Sequence, residues 1–117
     1  MRRFILFLLL VLTLLASPYD QGKKLYFSKG CNGCHGVNAK GLAQYPSLAY
    51  RPKPFLTYKL ERFRKKIGDT QQSQLMIPFA QQLTNKEINT LTTFLSTYHE
   101  EESRGKNENT VQGDGGS

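Results

Sequence analysis

Two cysteines and a histidine within five residues, Cys31-Asn32-Gly33-Cys34-His35, constrain this chain more than any other feature. The thiols are three positions apart and the imidazole follows the second directly, a spacing typical of the covalent attachment of c-type haem. Each thiol can add to one vinyl group of a porphyrin, and the short turn brings the imidazole under the ring, where it can ligate iron. The pattern predicts that Cys31 and Cys34 hold one haem and that His35 is an axial ligand.

Three other uses of the two cysteines stay open on sequence alone. A disulfide would close a loop so short that it removes little chain entropy. A thioredoxin-like dithiol would lie beside a strand–helix–strand pattern, which we do not find in the sequence. A structural zinc site needs four ligands, and the distant His99 could join Cys31, Cys34 and His35, although without a zinc-type spacing.

The first 17 residues have the pattern of a secretory signal. Arg2 and Arg3 give a positive start, an almost wholly apolar run of 12 residues follows from 4 to 15, and two small residues come next. The run is shorter than the roughly 20 residues of a membrane-spanning helix. Leucine stands where a small residue is preferred before cleavage, so an uncleaved membrane tether is the alternative. We therefore expect export to the periplasm, with membrane contact only if this segment is retained.

The rest of the chain divides into a folded domain and a tail. We expect residues 18–99 to form one domain, which is all-α because helical spacings recur and strand signals are missing. Residues 100–117 hold Glu, Lys, Asn, Gly and Ser, with Val111 as their one appreciably apolar residue. A segment of this composition cannot bury enough surface to fold, so we predict a disordered polar tail.

Local signals predict about four short helices. Asp20 as N-cap and Gly30 as terminator indicate a helix over 21–29. A loop rich in glycine and proline follows over 37–54, and Pro54 opens a helix that Gly68 ends. After a polar loop over 69–74, Pro78 starts a short helix through Gln82. The capping box of Thr84 and Glu87 opens the last helix, whose predicted buried residues are Ile88, Leu91, Phe94, Leu95 and Tyr98.

A concentration of positive charge marks residues 51–66, which we call the basic segment. It holds seven basic residues against one acid, Glu61. Nucleic acid is not the expected partner of an exported protein. The basic segment is then either a solvated helix face or a docking patch for an acidic redox partner, where charge raises the encounter rate more than the affinity.

The iron needs a second axial ligand, and Met76 is the main candidate. It is the only methionine left once the leader is removed, and it sits in an apolar stretch before Pro78. A thioether is a soft ligand that suits iron opposite histidine. The alternatives are Met76 as a core residue, His99 as the ligand, and an open position that would indicate gas binding or catalysis.

At this point the chain resembles the class I c-type cytochromes, among them the small bacterial monohaem carriers and single halves of the dihaem carriers. The resemblance extends from residue 19 to about 98. It is carried by the haem motif with Gly36, and by four further groups: Gly22 with Leu25 and Tyr26; Pro46-Ser47-Leu48; Leu75-Met76-Ile77-Pro78; and the Thr84 capping box.

The resemblance implies a cytochrome c fold wrapped around one covalent haem c. It implies that Met76 is the distal ligand and that the Pro46 carbonyl pairs with the His35 imidazole. It also implies that Gly22 packs against Phe94 or Tyr98. Apolar side chains should wrap the haem, and we expect these to be Leu48, Phe55, Leu60, Phe63, Leu75 and Phe79.

The implied function is one-electron transfer by a carrier without substrate turnover of its own, because two protein ligands keep substrates from the iron. Its partners would be redox proteins such as a terminal oxidase or a peroxidase, docking through the basic segment. A second hypothesis is a cytochrome subunit bound permanently to a larger periplasmic oxidoreductase. A third is a small redox enzyme in which a labile Met76 admits peroxide or a diatomic gas.

Overall fold

The structure, a computed structural model, describes residues 1–12 and 17–100. This part of the chain forms seven helices: α1 (Arg2–Leu12), α2 (Pro18–Ser28), α3 (Asn32–His35), α4 (Lys53–Arg64), α5 (Gln71–Gln74), α6 (Ile77–Gln81) and α7 (Asn85–Ser96). Its β pairing is an isolated antiparallel bridge between Leu42 and Tyr45. The all-α prediction is confirmed. The three helices beyond the predicted four are α1, in the predicted leader, and the short helices α3 and α5, with four residues each.

Helix α1 contains most of the apolar run of the predicted leader. The side chains of residues 4 to 8 on it are exposed. No helix within the described ranges is long and apolar enough to cross a bilayer. Residues 13–16 of the predicted leader and 101–117 of the predicted tail lie outside the described residues, so both assignments stay predictions.

Helix α2 begins earlier than expected, because Ser17 and not Asp20 is its N-cap. The Ser17 hydroxyl accepts a hydrogen bond from the Asp20 backbone N–H at 3.1 Å, and Pro18 occupies the first helical position. Asp20 lies in the first turn, where a carboxylate interacts favourably with the helix dipole. Gly30 ends this region as predicted, with a positive φ of 77°.

Helices α2 and α7 pack closely where Gly22 meets Phe94. A Cβ atom added at Gly22 would lie 2.4 Å from the Cβ of Phe94 and 2.4 Å from the carbonyl oxygen of Thr90. The missing side chain therefore lets the two helices approach closely, and the predicted contact of Gly22 with Phe94 is confirmed. Beside it, the rings of Tyr26 and Phe94 are almost fully buried, with centroids 5.6 Å apart.

Helix α4 starts at Lys53, with Pro54 in its second position, and buries Leu56 and Leu60. It ends at Arg64, not at Gly68 as expected. Lys66 takes the left-handed conformation, with φ 65°, that usually falls to glycine after a helix. Gly68 instead leaves room for Gln74, because a Cβ added at Gly68 would lie 3.0 Å from backbone and side-chain atoms of Gln74.

Two capping boxes start the last part of the fold. Thr70 and Ser73 cap the single turn of α5, where the sequence predicted a polar loop. Helix α6 ends one residue before the predicted Gln82. The predicted box of Thr84 and Glu87 is confirmed, with reciprocal bonds of 3.1 Å, and the Thr84 backbone N–H lowers the pKa of the Glu87 carboxyl.

The inward face of α7 is also as predicted. The expected core residues are each at least nine-tenths buried, with Tyr98 lying two residues beyond the end of the helix: Ile88, Leu91, Phe94, Leu95 and Tyr98. This face packs against α2 on one side and α4 on the other. Two of the residues, Leu91 and Leu95, also reach the cavity described next.

Candidate haem site

A cavity of about 690 Å³ opens among α3, the loop at 45–51, α4, the stretch at 70–79 and α7. Its volume lies within the range of roughly 300–1,000 Å³ that is usual for cofactor sites. All six apolar residues that we expect to wrap the haem line this cavity: Leu48, Phe55, Leu60, Phe63, Leu75 and Phe79. Phe55 and Phe79 are 41% and 46% exposed, since they border the opening and not a closed core.

The haem motif forms the single turn α3. Cys34 and His35 line the cavity, while Cys31 packs against the hydrophobic core. The Tyr26 hydroxyl donates a hydrogen bond to the carbonyl of Gly36, directly after the motif. This bond connects the buried α2–α7 contact to the backbone that carries Cys34 and His35. The sequence analysis placed Tyr26 in the core but did not predict the bond, because its partner becomes a neighbour only in the folded chain.

His35 is held in an orientation that suits an iron ligand. Its side chain is buried, and its Nδ1 atom lies 2.8 Å from the carbonyl oxygen of Pro46. That carbonyl can only accept, so Nδ1 carries the proton and Nε2 keeps a lone pair for a metal. The predicted contact between Pro46 and His35 is confirmed.

Gly41 allows the loop to return Pro46 to the imidazole. It has a φ of 89°, and a Cβ added there would lie 2.6 Å from the carbonyl oxygen of Tyr45. Its backbone N–H donates to the carbonyl of His35 at 2.8 Å. Any side chain at this position would force the loop away from the motif.

The environment of Cys31 does not favour a redox dithiol. Cys31 and Cys34 are free thiols. Burial raises the pKa of Cys31 to about 11, and the neighbouring Cys34 adds to the effect. A reactive dithiol needs a thiol with a lowered pKa. A buried, protonated Cys31 does not meet that requirement.

Met76 and His99, the rival ligands, lie in different places. Met76 is half-buried and lines the same cavity as His35. His99 is exposed and is not among the residues that line the cavity. Its ring stacks on Tyr19 with centroids 4.9 Å apart, and its backbone N–H donates to the Tyr19 hydroxyl at 3.0 Å. Within 1–12 and 17–100, no group of three or more His, Cys, Asp or Glu residues could hold a metal ion, so the zinc alternative has no support there.

The fold divides the basic segment. Five of its seven cations make contacts with other parts of the domain or with aromatic rings: Arg51, Lys53, Lys59, Arg62 and Arg64. Lys65 and Lys66, beyond the end of α4, are exposed. The seven charges therefore do not form one uniform solvated face.

Comparison with known proteins agrees with the cavity and the motif. The sequence model of the family described as Cytochrome c matches residues 19–99, which is more than half of the chain. The chain belongs to the cytochrome c family. The cofactor of this family is haem c, bound covalently. The residues of this chain fit that group. Two cysteines have the attachment spacing, His35 is hydrogen-bonded through Nδ1, and the cavity is apolar.

One curated relative matches part of this chain. The Cbb3-type cytochrome c oxidase subunit CcoP of Helicobacter pylori is 44% identical over 48 residues, which are 41% of this chain. The match spans 15% of that subunit's length. The similarity therefore supports the interpretation of this chain as a haem c protein that transfers electrons. The activity of the whole oxidase subunit is a property of the relative.

Proposed function

We propose that this cytochrome c is an exported one-electron carrier with haem c bound to Cys31 and Cys34, and with His35 and Met76 as axial ligands. The observation that carries the proposal is the shared cavity. Cys34, His35 and Met76 all reach one apolar space, and the imidazole there presents a free ring nitrogen. His99 lies elsewhere, which favours Met76 among the candidates for the second position.

The residues around the cavity suit reversible electron transfer. Bound haem c supplies a one-electron iron couple. The Met76 thioether favours the reduced state relative to a second histidine, and the apolar wall acts in the same direction by excluding water. Pro46 fixes the His35 ring, so little rearrangement accompanies a change of charge. If His35 and Met76 both held the iron, their side chains would leave no place for a substrate on the metal.

Mass spectrometry of the exported protein tests the attachment. We expect the mass of the chain plus one haem, with the colour retained after denaturation because both thioethers are covalent. The same spectrum reports whether the leader is lost or kept. A colourless denatured protein with two free thiols would contradict the proposal at its base.

A second candidate is a cytochrome subunit of a larger periplasmic oxidoreductase. The observation in its favour is the similarity to an oxidase subunit. Size-exclusion chromatography of a native extract distinguishes the two. A free carrier elutes near its own mass, and the full chain without haem has a mass of 13.3 kDa. A subunit elutes with its complex.

For the carrier we propose docking to an acidic redox protein, such as a terminal oxidase or a peroxidase, through the exposed end of the basic segment. Replacing both Lys65 and Lys66 with glutamine should lower the rate of association with a purified terminal oxidase several-fold at low ionic strength, because steering charge is lost. Stopped-flow electron transfer measures this rate. The difference should shrink as salt is added.

The matched control for docking removes the same charge elsewhere. Lys24 and Lys86 are exposed and lie outside the basic segment. The double variant Lys24→Gln with Lys86→Gln should change the rate much less. Equal effects of the two double variants would show that net charge, and not this surface, controls the encounter.

A further inference from the structure

Tyr26 is a buried core residue whose hydroxyl contacts the haem motif. Its ring is fully buried beside Phe94, whereas its hydroxyl donates a hydrogen bond to the carbonyl oxygen of Gly36, the residue that follows His35. Burial raises the pKa of this hydroxyl, so it stays protonated and remains a donor throughout the neutral pH range. Packing against Phe94 explains the position of the ring, but it does not explain the bond that the hydroxyl makes.

The Gly36 carbonyl is shared by two donors. The backbone N–H of Ala39 also donates to it, with 3.1 Å between nitrogen and oxygen. A carbonyl oxygen has two lone pairs, so the Tyr26 hydroxyl and the Ala39 N–H together use its full capacity. The two bonds fix the turn between residues 36 and 39, directly after the motif.

Ala39 connects this turn to the loop that carries Pro46. Its carbonyl accepts hydrogen bonds from the backbone N–H groups of Leu48 and Ala49, at 2.8 and 2.9 Å. Ala39 is fully buried and has a φ of 57°, in the left-handed region that alanine seldom adopts. Such a conformation persists where the surrounding bonds hold it. The carbonyl that pairs with His35 therefore belongs to a loop that is anchored on Ala39.

We infer that Tyr26 is a positioning residue for His35, an inference that rests on the proposed haem attachment. Through Gly36 and Ala39, its hydroxyl holds the loop that presents the Pro46 carbonyl to the imidazole. A hydrogen bond from the imidazole to such a carbonyl increases the donor strength of the ring toward a metal. Tyr26 thereby adjusts the reduction potential through backbone bonds, and it couples the packing of α2 on α7 to the redox properties of the site.

The test compares the haem-loaded Tyr26→Phe variant with the parent protein. Phenylalanine keeps the ring that packs on Phe94 and removes only the hydroxyl. The loop should then open more often, so hydrogen exchange at the His35 Nδ1 atom should become about three- to tenfold faster, the factor expected for the loss of one hydrogen bond. NMR spectra of the reduced protein measure this rate. The reduction potential should rise, because a weaker bond to Pro46 makes the imidazole a poorer donor to ferric iron.

Tyr19→Phe is the matched control. Tyr19 is also on α2, its ring also contacts Phe94, with centroids 5.0 Å apart, and its hydroxyl accepts a hydrogen bond from the backbone N–H of His99, away from the motif. This variant should leave the exchange rate at Nδ1 and the potential unchanged, even where it lowers the melting temperature. Equal effects of the two variants would show a general loosening of α2 and would overturn the inference. A Tyr26→Phe protein in which either the exchange rate or the potential equals that of the parent would overturn it as well.

Absorption spectra establish haem loading before either measurement. A parent chain without covalent haem contradicts the proposed function, whereas a loaded Tyr26→Phe chain with the exchange rate of the parent contradicts only the role of Tyr26.

The parent protein provides a second test if Tyr26→Phe loads haem poorly. One opening of the loop should expose the His35 Nδ1–H and the amides of Leu48 and Ala49 together, so their protection from exchange, corrected for intrinsic rates, should agree within about threefold. A larger difference between Nδ1–H and the two amides would show that the loop does not hold the imidazole, and would reject the inference.

Discussion

Replacing Met76 with leucine should abolish the absorption band that arises from charge transfer between methionine sulfur and ferric iron. The reduction potential should fall by on the order of 0.1 V, a fraction of the roughly 0.8 V span that axial ligands control. Leucine nearly matches methionine in volume, so the loss of packing alone should cost less than about 1.5 kcal/mol of folding stability. The reduced variant should also bind carbon monoxide at neutral pH, because one axial position is vacated.

The control for Met76 is the rival ligand. His99→Gln should leave the spectrum and the potential unchanged, because His99 is exposed and stacks on Tyr19. If Met76→Leu kept the parent spectrum while His99→Gln altered it, the assignment of the axial ligands would be reversed. Carbon monoxide binding by the unmodified reduced protein would instead favour the small redox enzyme over the carrier.

Replacing Gly22 with alanine should cause a large loss of folding stability. The new Cβ would lie 2.4 Å from both the Phe94 Cβ and the Thr90 carbonyl oxygen, which are on or next to the backbone and cannot rotate away. Helices α2 and α7 must then separate, at a cost of about 1–3 kcal/mol or more. In a domain of this size each kcal/mol lowers the melting temperature by roughly 4–8 °C. Thermal unfolding of the haem-loaded protein, followed by circular dichroism, measures the change.

Gly33→Ala provides the glycine control for this experiment. Gly33 lies in α3, and a Cβ added there has no protein atom within 4 Å. Since alanine is favoured over glycine in helices by about 0.5–1 kcal/mol, this variant should be neutral or slightly stabilised once absorption spectra show the same haem loading as in the parent protein. A Gly22→Ala protein as stable as Gly33→Ala would show that the two long helices do not approach as closely as described.

Much of the fold could be predicted because its signals are local. The spacing of Cys31, Cys34 and His35 specifies the attachment chemistry without any tertiary information. The Thr84 capping box placed the start of α7 correctly, and helical periodicity identified its buried face. The six expected wall residues all reach the cavity. Three of them, Phe55, Leu60 and Phe63, lie on α4, where amphipathic spacing shows which side turns inward.

The errors occurred where a residue's neighbours decide its role. Ser17 was assigned to the leader, so Ser17-Pro18 was not recognised as a helix start. Gly68 was expected to end α4, but Lys66 adopts the left-handed turn instead. Ser73 completes a capping box in place of the usual glutamate or glutamine, which hid the turn of α5.

The basic segment shows the same limit for the site. Its composition predicts a positively charged surface, and the sequence leaves each charge equivalent. Tertiary partners separate them, because Arg51 meets Ser47, Arg62 meets Asp69 at 2.7 Å, and Arg64 meets the Leu83 carbonyl at 3.3 Å. The folded structure is needed to distinguish the charges that contact other parts of the domain from the charges that are exposed to a partner.

The contact of Tyr19 with His99 has a consequence for how this domain can be built into larger proteins. It joins the first turn of α2 to the residue that follows the last buried side chain, so the polypeptide enters and leaves the domain at adjacent points. A unit with adjacent ends can be inserted between other modules, or repeated in tandem, with short connectors and no rearrangement of its interior. The same geometry would suit a separate cytochrome or one domain of a longer protein that contains several such units.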